Sequence, residues 1–264
     1  MSLIVIGLMV VGFVFNPALS PAAAWGQTGH RVTAAIAQAH LGPAARAEIA
    51  DVLGTETLVE ASTWPDFMRS DPRPFWKVSS PPWHYVTVPD GKTYAEVGPP
   101  PEGDAVTALA KFTEILRDPK TSRADKALAL KFTVHIIGDL HQPFHAGNGL
   151  DRGATQVKVK FFGRATHLHR VWDSDIIDAQ KFSYSELTQI LMNKITDDDI
   201  QKWQTADPLV WISEDVALRP GLYPDGKSLK YAYVFQHRDT IYRRLSQAGI
   251  RMAYYLNSLY NDAN

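Results

Sequence analysis

The feature that most constrains this chain is the stretch from His135 to His145, HIIGDLHQPFH, which places three histidines and one aspartate within eleven residues. Apolar spacing predicts that its first part is helical. His135 and Asp139 then lie four residues apart and project from one face as a pair of metal ligands. Because Pro143 must end the helix, we expect His145 to approach from a turn and to serve a second metal. Each histidine taken alone is more commonly a hydrogen-bonded core or surface residue.

Composition limits the chemistry of such a site. The chain has no cysteine, which excludes disulfides and thiolate zinc sites, so a metal must be held by His, Asp and Glu. The net charge of −1, without a basic block, gives no sign of strong duplex binding through many phosphates. With 264 residues and 45% hydrophobic content, the chain can bury a substantial core as a single domain.

The amino terminus resembles a secretory signal peptide. An apolar run at residues 3–15 is too short to span a bilayer comfortably and is followed by three alanines at 22–24, although the usual basic flank is missing. A retained membrane anchor is the less favoured alternative. We expect residues 1–24 to be a signal peptide and residues 25–264 to form the mature domain. The protein would then be secreted or periplasmic, with no stable membrane association after cleavage.

Cleavage after Ala24 would make Trp25 the first residue of the mature chain. Apolar residues at helical spacing from His30 onward predict a helix close to this terminus. A deprotonated α-amino group is a good nitrogen ligand, and the Trp25 carbonyl could close a chelate with it, with His30 close enough to join. The alternative is that Trp25 is a packing anchor at the helix start.

A second helix is predicted at residues 43–60, followed by Trp64-Pro65, which indicates an extended or turn conformation. Asp66 comes directly after this proline. It is either an ordinary N-cap residue or a metal ligand that faces the same site as the histidines.

The next segment alternates loops with one extended stretch. Residues 71–82 are rich in proline and are predicted to form a loop, and residues 89–103 a surface loop at the rim of any cleft. Between them, residues 83–88 are predicted to be a short strand or extended segment that carries His84 inward, with Tyr85 beside it.

The remaining elements are mostly helical. Helices are predicted at residues 105–117 and 125–140, then a glycine-rich turn and a β-hairpin indicated by alternating apolar residues at 157, 159 and 161. Residues 184–264 are predicted to be helical, with a long closing helix at 241–259. The predicted fold is therefore a mainly α, single-domain, multi-helix fold with a short β-hairpin.

A second ligand pair follows the hairpin, where His169 and Asp173 lie four apart on one predicted helical face and His167 faces elsewhere. These pairs, the free amino terminus and the absence of cysteine favour a multinuclear His/Asp zinc site. The candidate ligands are Trp25, His30, Asp66, His84, His135, Asp139, His145, His169 and Asp173.

The order of these motifs resembles a known family. WGQTGH, WPD, WHY, HIIGDLHQPFH and HLHRVWD match in order the ligand motifs of the trinuclear-zinc, single-strand-specific nucleases, the type I nucleases of plants and fungi of the mung bean nuclease type. AGIRMAYYLN resembles that family's last helix. The resemblance covers essentially the whole mature chain and implies a phospholipase C/nuclease-like fold. The absence of the eukaryotic disulfides and glycosylation sequons favours a bacterial member.

The resemblance implies three Zn²⁺ ions per chain and distributes the ligands among them. The first zinc would be held by Asp66, His84, His135 and Asp139, the second by the Trp25 amine and carbonyl, His30 and the shared Asp139, and the third by His145, His169 and Asp173.

The implied activity is endonucleolytic hydrolysis of single-stranded DNA and RNA to 5′-phosphates, with 3′-nucleotidase activity as a further expectation. Zinc ions bridged by Asp139 would lower the pKa of a bound water towards ~7 and so provide a hydroxide nucleophile. Tyr85 is the candidate for stacking a base beside the scissile phosphate, with core packing as its alternative. The substrates would be single-stranded nucleic acids and nucleotides, and the protein a monomer without an implied protein partner.

Two departures and two alternatives qualify this expectation. Gly153-Ala154-Thr155 stands where many members have Gly-Gly-Asn, and Asp175 where some carry an aromatic residue. A zinc-dependent phospholipase C is the first alternative, but there the first histidine lies farther along and the last ligand is Glu rather than Asp173. A non-catalytic secreted zinc-binding protein with a closed metal site is the second.

Overall fold

The computed structural model describes residues 25–261. The predicted signal peptide, residues 1–24, lies outside the described residues. The helices are α1 (Gln27–Ala39), α2 (Pro43–Leu53), α3 (Leu58–Met68), α4 (Tyr94–Val97), α5 (Ala105–Arg117), α6 (Arg123–Asp139), α7 (Leu168–Arg170), α8 (Ile176–Ala179), α9 (Tyr184–Met192), α10 (Asp197–Trp203), α11 (Pro208–Leu218) and α12 (Tyr231–Asn261). The strands are β1 (Val86–Thr87), β2 (Ala146–Gly147), β3 (Lys158–Phe161), β4 (Arg164–His167) and β5 (Ser228–Leu229).

Helix α1 lies at the centre and packs against α3, α6, α9 and α12. It contributes to two clusters of buried apolar side chains. Ala34 and Ala37 join the cluster around α5 and α6, whereas Val32 and Ile36 join the cluster around Trp172 and the β-hairpin. Helix α1 therefore lies between the two clusters. His30, on the same helix, is fully buried there.

Helix α6 is buried around its whole circumference in its second half. Ser122 caps its amino end by accepting a hydrogen bond from the Asp125 backbone N–H, and every residue from Ala129 to Asp139 except Lys131 is buried. A helix that is apolar all round belongs in a core, so this one delivers its terminal polar residues to the interior. The helix predicted at residues 125–140 is confirmed to within two residues, as is the one at 105–117.

The single helix predicted at residues 43–60 is wrong, because the structure has two helices there. Gly54 follows α2 with a positive φ of 68°, which a residue with a Cβ seldom adopts. Thr57 then starts α3 through a capping box, in which its side chain accepts the Glu60 N–H and the Glu60 carboxylate accepts the Thr57 N–H.

The turn predicted at Trp64-Pro65 is also wrong. Pro65 lies inside α3, and Asp66 is a residue of the last turns of that helix rather than its N-cap. A proline inside a helix disturbs the carbonyls of the preceding turn. The carbonyl that Pro65 cannot pair with is that of Ala61, four residues earlier. The next carbonyl, that of Ser62, accepts the Nδ1–H of His135 at 2.7 Å and so joins this part of α3 to α6.

The loop predictions at residues 71–82 and 89–103 are partly wrong, since the first contains a π-helical turn (Phe75–Ser79) and the second contains α4. His84 ends a 3₁₀-helical turn (Pro81–His84), and the extended segment predicted at residues 83–88 is reduced to β1. The buried aromatic rings of Trp76 and Phe132 stack at 5.8 Å, which explains why this proline-rich segment is ordered against α6.

The strands form two small sheets. β1 pairs with β2 in parallel, and the second sheet has the order β4-β3-β5. The predicted hairpin is confirmed as the antiparallel β3–β4 pair, to which β5 adds in parallel. The closing helix α12 begins at Tyr231, ten residues before its predicted start.

The fold is mainly α with short strands, as predicted. Within residues 25–261, no helix combines the length and the apolarity needed to cross a bilayer.

Candidate metal centre

The ligand pair of α6 lies at the end of the helix and faces the interior. Both His135 and Asp139 are fully buried, and the Nε2 of His135 lies 3.2 Å from Oδ2 of Asp139. The helix ends at Asp139, before Pro143, as predicted. Pro143 begins a 3₁₀-helical turn (Pro143–His145), so His145 approaches the same site from another direction.

Asp139 is the point at which imidazoles from four separate elements meet. Its Oδ1 lies 3.3 Å from His30 Nε2 of α1 and 3.7 Å from His145 Nδ1. Its Oδ2 lies 3.1 Å from His84 Nδ1, at the end of the Pro81–His84 turn, and 3.2 Å from His135 Nε2. This carboxylate is therefore placed to be shared between sites.

The structure brings eight of the nine candidates, all but Trp25, into three groups, and within each group the ligand atoms lie within 4.8 Å of one another. These groups are His30 with Asp66 and His135, His84 with His135 and Asp139, and His145 with His169 and Asp173. The last group coincides with the set that the family resemblance implies for the third zinc. The first places His30 against Asp66 and His135, with the His30 and His135 rings stacked at 4.0 Å. The first two groups share His135 and are therefore contiguous.

Three ligand imidazoles are oriented by backbone carbonyls. Nδ1–H of His135 donates to Ser62 O, that of His145 to His84 O at 2.6 Å, and that of His169 to Gly153 O at 2.5 Å. Because a carbonyl can only accept, each Nδ1 carries a proton, and in the neutral imidazole Nε2 is the lone-pair donor. The tautomers are thereby set for metal binding.

The segment around Trp25 adjoins the third group. Trp25 is fully buried, and the Gly26 N–H donates to the Asp173 carbonyl at 2.7 Å. A Cβ on Gly26 would lie 2.1 Å from Ser174 Oγ and 3.1 Å from the Asp173 carbonyl, so a larger residue there would require the Ser174 side chain and the nearby backbone to shift. The Trp25 backbone as a ligand remains a prediction.

Gln142 is a site residue that sequence reasoning missed. Its Nε2–H donates to Asp173 Oδ1 at 2.5 Å, and its Oε1 accepts the Phe144 N–H at 2.7 Å. Gln142 thus ties the turn that carries His145 to the carboxylate of the third group. In the sequence, the only signal was the position of Gln142 inside HQPFH, between His141 and Pro143. In the structure, Gln142 is fully buried.

His141 belongs to an ionic network behind the site and to none of the three groups. It is fully buried, with Nδ1–H donating to Ile137 O and Nε2 accepting from Arg251 at 3.3 Å. Burial, reinforced by Arg244 and Arg251, lowers the pKa of His141 well below its usual value and keeps it neutral. Arg244 also donates to the His141 carbonyl at 3.2 Å and so holds the turn after Asp139.

The buried charges of the centre are mutually dependent. Burial opposes ionisation of Asp139, but His135 and His145 outweigh it and hold the pKa of Asp139 well below its usual range. Burial also disfavours the charged form of His145, yet Asp139 and Asp173 raise its pKa to about 9. The pKa of His30 is lowered, mainly by burial. The centre is a set of carboxylates that need positive charge beside them.

Several buried ligand atoms have no hydrogen-bond partner among the described residues. They are both ring nitrogens of His30, Nε2 of His84, Oδ1 of Asp139 and Nε2 of His145. An unsatisfied buried polar atom costs about 1–3 kcal/mol, and native interiors contain few of them. Such a concentration around one carboxylate fits metal binding. Imidazole nitrogens with carboxylate oxygens form a donor set that suits zinc.

An open cleft of about 700 Å³ leads to this centre. His84, His145 and His169 lie on its floor, and Arg69 and Lys158 are among its walls. Tyr85 lines the cleft with 48% of its surface exposed, which rules out the alternative that this ring packs in the core. Its stacking on a base remains a prediction.

The mainly helical fold and the three His/Asp groups beside an open cleft define a protein that is able to bind metal ions at a candidate active site. The S1/P1 Nuclease family model matches residues 25–261, so this chain belongs to the S1/P1 nuclease family.

Individual relatives agree. Endonuclease 2 of Arabidopsis thaliana is 29% identical over 269 residues, which cover 89% of this chain and 90% of that protein. Nuclease S1 of Aspergillus oryzae is 31% identical over 179 residues, 61% of this chain and 57% of its own. Nuclease P1 of Penicillium citrinum is 25% identical over 274 residues, with coverages of 90% and 98%. The predicted hydrolytic nuclease is confirmed, in preference to the phospholipase and non-catalytic alternatives.

Proposed function

We propose that this nuclease is a secreted, zinc-dependent endonuclease that hydrolyses single-stranded DNA and RNA and leaves 5′-phosphates. The observation that carries the proposal is the meeting of three His/Asp groups at and around Asp139, on the floor of a cleft that is open to a polymer. The same site would remove the phosphate of a 3′-mononucleotide.

The residues would hold three zinc ions. The family resemblance assigns Asp66, His84, His135 and Asp139 to one ion, the Trp25 backbone, His30 and Asp139 to a second, and His145, His169 and Asp173 to the third. The last set is also one group by distance, whereas the ligand atoms of His30 lie with those of Asp66 and His135. When bound, zinc would supply Lewis-acid activation of water and stabilisation of charge on the phosphate and the departing 3′ oxygen.

The chain's own residues do the positioning. Asp139 stays ionised in a buried position, and the carbonyls of Ser62, His84 and Gly153 hold the imidazoles in one tautomer. Preorganised ligands of this kind need no rearrangement when a substrate arrives. Tyr85, half exposed beside the floor of the cleft, would stack on an unpaired base, which a duplex does not offer.

Metal removal tests the chemistry. Purified chain beginning at Trp25 should contain about three zinc ions by elemental analysis, in line with its three ligand groups. EDTA should abolish cleavage of single-stranded DNA and RNA, and added zinc should restore it. Cleavage that survives EDTA, or products with 3′-phosphates, would contradict the proposal. Phosphatidylcholine is the control substrate and should not be cleaved.

The proposal includes cleavage of a signal peptide after Ala24. It is supported by the burial of Trp25 and by the hydrogen bond from the Gly26 N–H to the Asp173 carbonyl, because both features lie beside the third ligand group. Exported protein should begin at Trp25 by mass spectrometry and behave as a monomer in light scattering. A variant with extra residues before Trp25 should lose zinc and most activity. Equal activity of the extended and mature forms would count against an amino-terminal ligand.

A further inference from the structure

The outer face of the β4-β3-β5 sheet carries charges that the metal centre does not use. On β3, Lys158 and Lys160 are exposed, whereas the residue between them and the one that follows are buried. In the pairing register, Lys160 lies opposite Ala165 of β4 and Ser228 of β5, both of which are exposed. Directly opposite residues point to the same side of a sheet. Lys160 therefore stands on an open face between two small neutral neighbours.

Three exposed aromatic residues lie at the end of this face where the hairpin turns. Phe162 is 40% exposed, and its ring lies edge-on to Tyr231 with centroids 4.8 Å apart. Tyr231 and Phe235 are one turn apart on α12 and are 79% and 82% exposed. Single exposed apolar residues are ordinary, but two rings in contact, with a third exposed ring one helical turn away, form a surface on which flat groups can stack.

The other end of the face opens into the cleft. Lys158 and its pairing partner His167 both line the cleft that leads to the metal centre. Lys158 also borders a smaller adjoining cavity of about 400 Å³, together with Lys227 and one carboxylate, Asp225. Along β3, Lys158 and Phe162 are four residues apart, a distance of about 13 Å in an extended strand. The surface is thus continuous from the cleft to the aromatic rings.

The charge of this surface is available to a partner. Lys160, Lys227 and Lys230 form no ion pair within the part of the chain that the structure describes. The chain as a whole has a net charge of −1, so these lysines are a local concentration of positive charge and not the edge of a basic protein. Local positive charge beside stacking rings is the combination that binds single-stranded nucleic acid.

We propose that the lysine–aromatic face, formed by Lys158, Lys160, Phe162, Tyr231 and Phe235, binds the nucleotides of a single-stranded substrate that lie beyond the cleft. The proposal rests on the proposed single-strand nuclease function. The lysines would contact successive phosphates, and the rings would stack on unpaired bases without base preference. A second copy of the chain is disfavoured as the occupant, because two such faces would bring like charges together.

Substrate length tests this proposal. A Lys160→Ala/Tyr231→Ala double variant is compared with wild type on a 12-nucleotide oligothymidylate and on the shortest oligothymidylate that wild type cleaves. In the double variant, the kcat/KM for the long substrate divided by that for the short substrate should fall about tenfold. The fall should come from a higher KM for the long substrate. The salt dependence of that KM should also weaken, because one phosphate contact is lost.

The matched control is a Lys120→Ala/Tyr254→Ala double variant, which removes an exposed lysine and a 39% exposed tyrosine elsewhere. It should keep the wild-type ratio. An unchanged ratio in the Lys160→Ala/Tyr231→Ala variant would overturn the proposal, and so would a wild type without any preference for length. If wild type instead forms a concentration-dependent dimer that the Lys160→Ala/Tyr231→Ala variant cannot form, and the kcat/KM ratio is unchanged, the face binds a second copy of the chain. Wild type that cleaves no oligonucleotide at all would instead contradict the proposed function.

Discussion

The close approach of α1 to α6 at Gly138 leads to a prediction that can be worked out from the structure. A Cβ on Gly138 would lie 2.8 Å from Nδ1 of His30 and 3.1 Å from its Cε1. Ordinary contacts begin at 3.4 Å, so the imidazole would have to retreat by about 0.6 Å. His30 is fully buried in α1, where the surrounding packing leaves it little room to do so.

Two opposing effects set the stability of a Gly138→Ala variant. Overpacking a core costs about 1–3 kcal/mol, whereas replacing glycine by alanine in a helix gains up to about 1 kcal/mol. In metal-free protein, we expect Gly138→Ala to lower the free energy of unfolding by about 1–2 kcal/mol. If His30 is first shortened by His30→Ala, the clash disappears and Gly138→Ala should become neutral or stabilising. The expected coupling between the two positions is about 1–3 kcal/mol.

The same displacement should impair the site. Productive geometry tolerates deviations of about 0.5 Å, and larger misplacements can lower the rate by about 100-fold. We expect Gly138→Ala to retain less than the full zinc content and to lose about 10- to 100-fold in kcat. This loss of kcat should be larger than the small change in the free energy of unfolding would suggest.

The assay is urea denaturation in EDTA for wild type, both single variants and the double variant, with zinc analysis and kinetics on the metal-loaded proteins. Gly221→Ala is the control, because a Cβ there meets nothing within 4 Å and it should leave zinc content unchanged. An equal effect of Gly138→Ala with and without the His30 side chain would refute the argument that the two residues clash.

Further predictions concern the ionic network, the cleft and the pH dependence of metal binding. Arg244→Met should lower the free energy of unfolding by about 3–5 kcal/mol in urea denaturation, because the buried Asp215, 2.9 Å from Arg244, loses its partner, whereas Glu214 keeps its ion pair with Arg251. Tyr85→Ala should raise KM for single-stranded DNA about tenfold in steady-state kinetics, with Tyr85→Phe close to wild type. His145, with a pKa raised to about 9 in the metal-free protein, must lose a proton to bind zinc at neutral pH. Zinc affinity measured by calorimetry should therefore rise on the order of tenfold per unit between about pH 6 and pH 8, and a pH-independent affinity would contradict this assignment.

Local features were predictable where the chain itself fixes the geometry. The helices at residues 105–117 and 125–140 have caps and periodicity within their own sequence, and their observed bounds match to within two residues. The i,i+4 spacing of His135 and Asp139 places both on one face in any α-helix, and Pro143 ends that helix in any context. The turn predicted at Trp64-Pro65 did not occur, because Pro65 lies inside α3 and the packing of that helix against α1 and α6 overrides the local preference of proline.

The sequence by itself determined the kinds of ligand, their pairing on helices and the exclusion of thiolates, because residue identity and helical spacing depend only on the chain. The tertiary structure alone decided that four imidazoles meet at Asp139, that Gln142 joins Asp173, and that the β3 lysines continue into exposed rings of α12. These contacts join residues far apart in the chain. Their distances are set by how α1, α6 and the hairpin pack, which no local pattern specifies.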